Sequence, residues 1–210
     1  MISKSTIDFL ELLQSNNDRE WFAANKKEFQ EEEKKVKLFF NEIYLELQKI
    51  DSLESMQIFR IYRDVRFSKN KSPYKTNFGA ALGMGKGSKT TGYYLHLEPG
   101  KSFIAGGVYQ PEPSVLKEIR KEIEMNADEF LEIVNAKEFI KNFGELSQTD
   151  KLVKVPQGFD KDSKMGDFLK LKNIVVMHSI KDENLLHENA ISNFVKIYKT
   201  MKPLNDFLDI

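Results

Sequence analysis

Apolar positions change their period twice along this chain. They are helical at the front, alternate in the middle, and are helical again behind. Near the start, Ile7, Leu10 and Leu13 form one stripe, and Ser5 with Asp8 has the spacing of a capping box, so a first helix is expected from Ser5. A break follows at Asn16-Asn17. Asn17, with Glu20 three residues on, predicts the cap of a second, long helix. Phe22, Phe29, Val36, Ile43 and Ile50 recur every seven residues along it, with Phe40 and Leu47 between them. The intermediate positions are too poorly kept for a coiled coil, so the expectation is a helix lying on a sheet or on another helix. Its run Glu31-Glu-Glu-Lys-Lys reads as a solvated face.

From Met56 the period becomes two. A strand through Phe67 would place Ile58, Arg60, Tyr62, Asp64 and Arg66 on one face, and Phe59, Ile61, Arg63, Val65 and Phe67 on the other. A loop around Pro73 and a short apolar strand from Phe78 follow. Residues 83–92 read as a glycine-rich hairpin loop. Tyr93 to Glu98 and Ser102 to Tyr109 predict a hairpin around Pro99-Gly100-Lys101. Behind Pro113 the helical stripe returns at Val115, Leu116, Ile119 and Ile123, then in shorter helices to Phe143, with Gly144 as C-cap. A short strand at 151–155, a short helix at 167–171 and an apolar strand from Ile174 to Ile180 are expected next. A last helix from Asn184 should end or bend at Pro203. Helices in front, strands between and helices behind predict an α+β fold: a central antiparallel sheet with a long N-terminal helix and several C-terminal helices packed on it. No linker divides the chain, so residues 1–210 are expected to form a single domain.

Composition narrows the function classes. Of 210 residues, 40% are hydrophobic and sixteen are Phe, which can offset the entropy of folding. The 32 basic and 32 acidic side chains balance, so no global field draws the chain to nucleic acid or to an anionic membrane. The absence of cysteine removes disulfides, thiolate metal sites and cysteine nucleophiles, and fits a reducing compartment. No signal peptide and no apolar run of about 20 residues is visible. The expected location is the cytoplasm, with no membrane contact.

Against this neutral background one segment stands out. Positions 60 to 75 carry Arg60, Arg63, Arg66, Lys69, Lys71 and Lys75 against Asp64 alone. Planar guanidinium groups suit carboxylate or phosphate, and a strand rich in them needs anionic partners. Two readings stay open. One is an anion site in which Lys71, Tyr74 and Lys75 close over a ligand held by Arg60, Arg63 and Arg66. The other is an internal ion-pair network through Asp64 and acids such as Glu20 or Glu98. His96 is the best acid/base candidate, because strand alternation puts Tyr94 and Glu98 on its face and a neighbouring carboxylate can orient an imidazole. Its alternative is a histidine satisfied within the sheet. His178 reads as packed and His187 as exposed, and three separated histidines give no metal motif. The run from Gly83 to Thr90 fails as a phosphate loop, since Ser88 separates Gly87 from Lys89. Asn16, Asn17, Arg19 and Trp21 read as a helix start with a packed indole, and Gly106-Gly107 as a bulge or close backbone approach.

Arg60-Ile-Tyr-Arg63-Asp64-Val-Arg66-Phe67, followed by Asn70-Lys71-Ser-Pro-Tyr74-Lys75-Thr76, resembles the signature of the bacterial domain-of-unknown-function family 2461. The likeness extends to Asn16-Asn-Asp-Arg19-Glu-Trp21-Phe22 with Asn25-Lys26, to Gly92-Tyr-Tyr-Leu-His-Leu-Glu-Pro-Gly100, and to Pro156-Gln-Gly-Phe-Asp160-Lys161. The chain departs from the pattern at Asn77, where the pattern has histidine. The resemblance implies one fold unit and no particular reaction or cofactor. Three functions therefore compete: a pocket for a small phosphate- or carboxylate-bearing ligand, with acid/base chemistry at His96; a nucleic-acid or protein-binding module using the basic loop; and a purely structural arginine network.

Overall fold

The computed structural model describes residues 1–83 and 91–210. Five strands, β1 (Met56–Ile58), β2 (Phe78–Leu82), β3 (Gly92–Leu97), β4 (Ser102–Val108) and β5 (Ile174–Ile180), form one antiparallel sheet in the order β1-β2-β3-β4-β5. The fold is α+β, with the long N-terminal helix and C-terminal helices contacting the sheet. The chain forms two compact units: Met1–Leu82 with Tyr94–Ile104 and Ser179–Val195, and Gly83–Tyr93 with Ala105–His178 and Lys196–Ile210. The phosphate-loop question at Gly83 to Thr90 falls mostly on residues 84–90, outside the described ones.

In the first unit, α1 (Lys4–Ser15) buries Phe9, Leu10 and Leu13. Ser3, not Ser5, occupies its N-cap position, and the Ser5 hydroxyl instead donates to Glu32 at 2.9 Å. The long helix expected from Asn17 is two helices, α2 (Arg19–Ala24) and α3 (Lys26–Leu47). Asp18 caps α2 by accepting from the Trp21 amide at 2.8 Å. The Asn25 side chain donates to the Trp21 carbonyl at 2.8 Å, offering the chain a local alternative to the helical ladder, and α2 ends there. Asn17 is released from capping. It exchanges two hydrogen bonds with the Tyr74 backbone, 3.0 and 3.1 Å long, and so ties the helix start to the loop behind Pro73. Trp21 sits against Phe9, with ring centroids 5.9 Å apart.

α3 packs on β1 and β2, with Phe29 stacked on Phe78 and the stripe Val36, Phe39, Phe40, Ile43 and Leu47 buried. Ile50 lies beyond its end. Glu32, expected on the solvated face, sits on the buried stripe at 4% exposure. Its carboxylate accepts from Thr6 (2.7 Å), Ser5 (2.9 Å) and Lys35 (2.7 Å), the partners a buried charge requires. Those hydrogen bonds and the Lys35 charge outweigh the cost of burial and hold the carboxyl below its ordinary range. The hairpin of β3 and β4 turns where predicted. The Gly100 amide at its tip donates to the Asp182 carboxylate at the start of α8 (Asp182–Leu186).

The second unit holds α4 (Pro113–Met125), α5 (Ala127–Val134), α6 (Lys137–Phe143) closed by Gly144, α7 (Gly166–Leu169) and most of α9 (Ala190–Leu208). Lys151 makes a single bridge to Leu171 where a strand was expected. Pro203 does not end α9, which runs through it with Met201, Leu204 and Leu208 buried. The last helix is also split, with α8 preceding a break at exposed His187. Gly107 fulfils the expectation of close approach: at φ +115°, a Cβ there would lie 2.1 Å from the Ile174 carbonyl oxygen.

Candidate functional site

The arginine segment is not a continuous strand. β1 ends at Ile58, and pairing goes on in broken form. The Phe59 amide donates to Gly79, the Lys75 amide to Ile61 and the Arg63 amide to Pro73, with Tyr62 bridged to Tyr74. Phe59 thus faces Gly79 while Ile61 faces Lys75, so Thr76, Asn77 and Phe78 stand opposite Arg60 alone. This is a bulge, and bulges re-aim side chains. The extra residues lie on the Thr76–Phe78 side, and the arginine side carries no regular strand beyond Ile58, so alternation is not kept along it. Of the face Phe59, Ile61, Arg63, Val65 and Phe67, only Ile61 is buried, and Phe67 is 96% exposed.

The basic residues separate into two groups. Arg66 is exposed and forms a forked pair with Asp64, at 2.6 Å from Nη2 and 3.0 Å from Nε, which holds Asp64 below its ordinary range. Arg63 donates to the Ser72 carbonyl (3.1 Å) and the Ser68 hydroxyl (3.3 Å), and Lys71 to the Val65 carbonyl (3.0 Å). These side chains fold the loop onto itself. Tyr74 joins the core at 7% exposure, stacked on Phe22 with centroids 3.9 Å apart, and burial raises its hydroxyl pKa. Arg60 and Lys75 make no ion pair among the described residues. Lys75 Nζ lies 5.3 Å from the Phe59 ring centroid, and burial, then the charge of Arg60, push its ammonium below the ordinary lysine range. Asp64 does not bridge Arg60 to Arg66 by hydrogen bonds, and Glu98 is engaged elsewhere.

Glu98, directly after β3, ends a polar line that begins on that strand. His96 Nε2 is 3.1 Å from Glu98 Oε2, and His96 Nδ1 is 3.2 Å from the Tyr94 hydroxyl and 3.3 Å from Asn77 Nδ2. The Thr76 hydroxyl donates to the other Glu98 oxygen at 2.7 Å. Burial would raise the Glu98 pKa, but hydrogen bonds from His96 and Thr76 outweigh it, and the carboxyl sits below its ordinary range. A carboxylate only accepts, so the proton of the neutral imidazole is on Nε2, and Nδ1 accepts from the Tyr94 hydroxyl and the Asn77 amide. Phe103 of β4 stacks on the imidazole, 4.6 Å between centroids and 13° from parallel. Gly79 makes room for the tyrosine: a Cβ there would lie 2.6 Å from the Tyr94 hydroxyl oxygen.

The β3 face of Tyr94, His96 and Glu98 is as strand alternation implies. Thr76, Asn77, Phe59 and Phe103 were not expected at it. The first two arrive through the bulge, which sequence spacing does not announce. Phe103 was reachable from the hairpin, since its strand pairs with β3. The same bulge links the polar line to the cations, because Lys75 directly precedes Thr76 and Asn77. Phe59, beneath Lys75, lies 6.2 Å from Tyr94. Elsewhere, His178 Nδ1 is 2.8 Å from the Asn142 carbonyl, a structural contact. Among the described residues no group of three or more His, Asp or Glu side chains could hold a metal ion, and no helix is long and apolar enough to cross a membrane.

No curated protein and no solved structure matches this chain. A family model described as conserved hypothetical protein (DUF2461) matches residues 5–207, which takes in the arginine segment, the bulge and the β3 line. The chain belongs to that family.

Proposed function

We propose that the first unit binds a small phosphate- or carboxylate-bearing ligand beside Lys75 and Arg60, and exchanges protons with it through the Tyr94–His96–Glu98 line. One observation carries this reading. Two cations that make no ion pair among the described residues, one partly stripped of water, lie at the bulge whose Thr76 and Asn77 bond to a line in which an imidazole is held between a carboxylate and a hydroxyl. An anion at Lys75 would recover the solvation that burial has taken from the ammonium. His96 Nδ1 would take the Tyr94 hydroxyl proton, Tyr94 would recover one from the ligand, and the Glu98 carboxylate would stabilise the imidazolium that forms. The bulge sets Thr76 and Asn77, which bond to Glu98 and His96, next to Lys75 in the chain.

A structural role is the better reading for Arg63, Arg66, Lys71 and Tyr74, whose polar or aromatic groups are occupied within the unit. The test is thermal unfolding in inorganic phosphate, pyrophosphate and citrate. A ligand at 100 times its Kd stabilises by ~2.7 kcal/mol, which for a chain of this size is a rise of roughly 5–10 °C in Tm. That rise is expected in the parent and in Arg66→Ala, and is expected to vanish in Lys75→Gln. An equal rise in Lys75→Gln, or none in the parent with any of the three anions, would refute the site.

A further inference from the structure

Phe67 is a phenylalanine at 96% exposure, on a loop that is tied down rather than slack. Arg63 clamps the two sides of the loop by donating to Ser72 and Ser68. Lys71 holds the Val65 carbonyl from within, and Asn70 Oδ1 accepts from the Ser72 amide at 2.9 Å. The Arg66 guanidinium, fixed by Asp64, lies 5.9 Å from the Phe67 centroid. A ring of this size is ordinarily drawn into an apolar contact, and here the hydrogen bonds of its own loop hold it out in water. Tyr62, on the paired arm that carries the loop, is half exposed.

We infer that this loop is a docking surface for single-stranded nucleic acid, with a base stacked on Phe67 and the backbone phosphates along the neighbouring cations. Charge supports that occupant: the segment from Arg60 to Lys75 holds six basic side chains and one acidic one, whereas the rest of the chain holds 26 basic and 31 acidic ones. An uncovered ring beside a guanidinium plane matches the π-face that every base presents, and a bare phenyl ring has no polar handle with which to read a peptide. Double-stranded nucleic acid fits less well, because its bases are already stacked and the loop offers neither a helix nor a ribbon to a groove. Asp64 already neutralises Arg66 and Lys71 is engaged by the Val65 carbonyl, so the phosphate contacts fall to Arg60, Lys69 and Lys75. The inference stands on Phe67 and does not depend on the small-ligand reading.

Fluorescence anisotropy of the full chain with a labelled single strand of about 12 nucleotides tests it. Binding is expected to weaken roughly 5- to 150-fold in Phe67→Ala, the range for loss of one stacked base. Phe67→Trp should retain it. The log–log salt slope should be about −2, as three phosphate contacts to a single strand imply. The exposed ring makes Phe67→Ala a folded variant, and an unchanged Tm verifies this. Several results would overturn the inference: no binding at low salt, equal binding by Phe67→Ala, equal binding of the duplex, or equal competition by an acidic peptide.

Discussion

His96 Nε2 lies 3.1 Å from Glu98 Oε2, and both side chains are more than four-fifths buried on the same face of β3. That contact fixes the imidazole proton and leaves Nδ1 to the Tyr94 hydroxyl. It also stores pH-dependent stability. The Glu98 pKa is lower folded than unfolded, so its contribution is fully present above the unfolded value and disappears as pH falls through the folded one. Glu98→Gln should therefore show a flatter decline of Tm than the parent between about pH 5 and pH 3. Parallel declines in the two proteins would remove Glu98 from this role.

Gly79 sets the tyrosine. A methyl group at position 79 would stand 2.6 Å from the Tyr94 hydroxyl oxygen, so Gly79→Ala should displace that hydroxyl from His96 Nδ1. Loss of one hydrogen bond corresponds to about 1 kcal/mol of stability. The specific readout is the Nδ1 chemical shift of His96, which Gly79→Ala and Tyr94→Phe should move in the same sense. A shift in Tyr94→Phe with none in Gly79→Ala would show that the ring accommodates the methyl group.

Glu32 anchors α3 to the start of α1. Removing the carboxylate in Glu32→Ala leaves the Thr6 hydroxyl and the Lys35 ammonium without their acceptor, at a cost of roughly 2–3 kcal/mol in chemical denaturation. A change under about 0.5 kcal/mol, typical of surface positions, would mean that Glu32 is solvated after all.

The sheet and the face carrying His96 were legible in the sequence for a simple reason. On an unbroken strand, side chains two apart share a face, and the turn at Pro99-Gly100-Lys101 bounds that strand. The arginine segment misled for the same reason. Alternation from Met56 to Phe67 assumes continuous pairing, and three residues opposite Arg60 interrupt it. Thr76 and Asn77 reach the site only because of that interruption, and Tyr74 is drawn to the core by Phe22, 52 residues earlier in the chain. Glu32 was hidden because a charge within an acidic run reads as surface until its tertiary donors are known. The break at Asn25 was hidden because a side-chain cap competes with a helix whose apolar stripe hardly changes across it.

The central claim is that an anion binds at Lys75 close enough to be felt by His96. The most direct measurement is a titration of the parent chain and Lys75→Gln with inorganic phosphate, followed by the imidazole nitrogen and carbon resonances of His96. A saturable change at His96 in the parent, with His178 and His187 unmoved, and its loss in Lys75→Gln, is the expected result. An unmoved His96, or a His96 response that persists without Lys75, would contradict the claim.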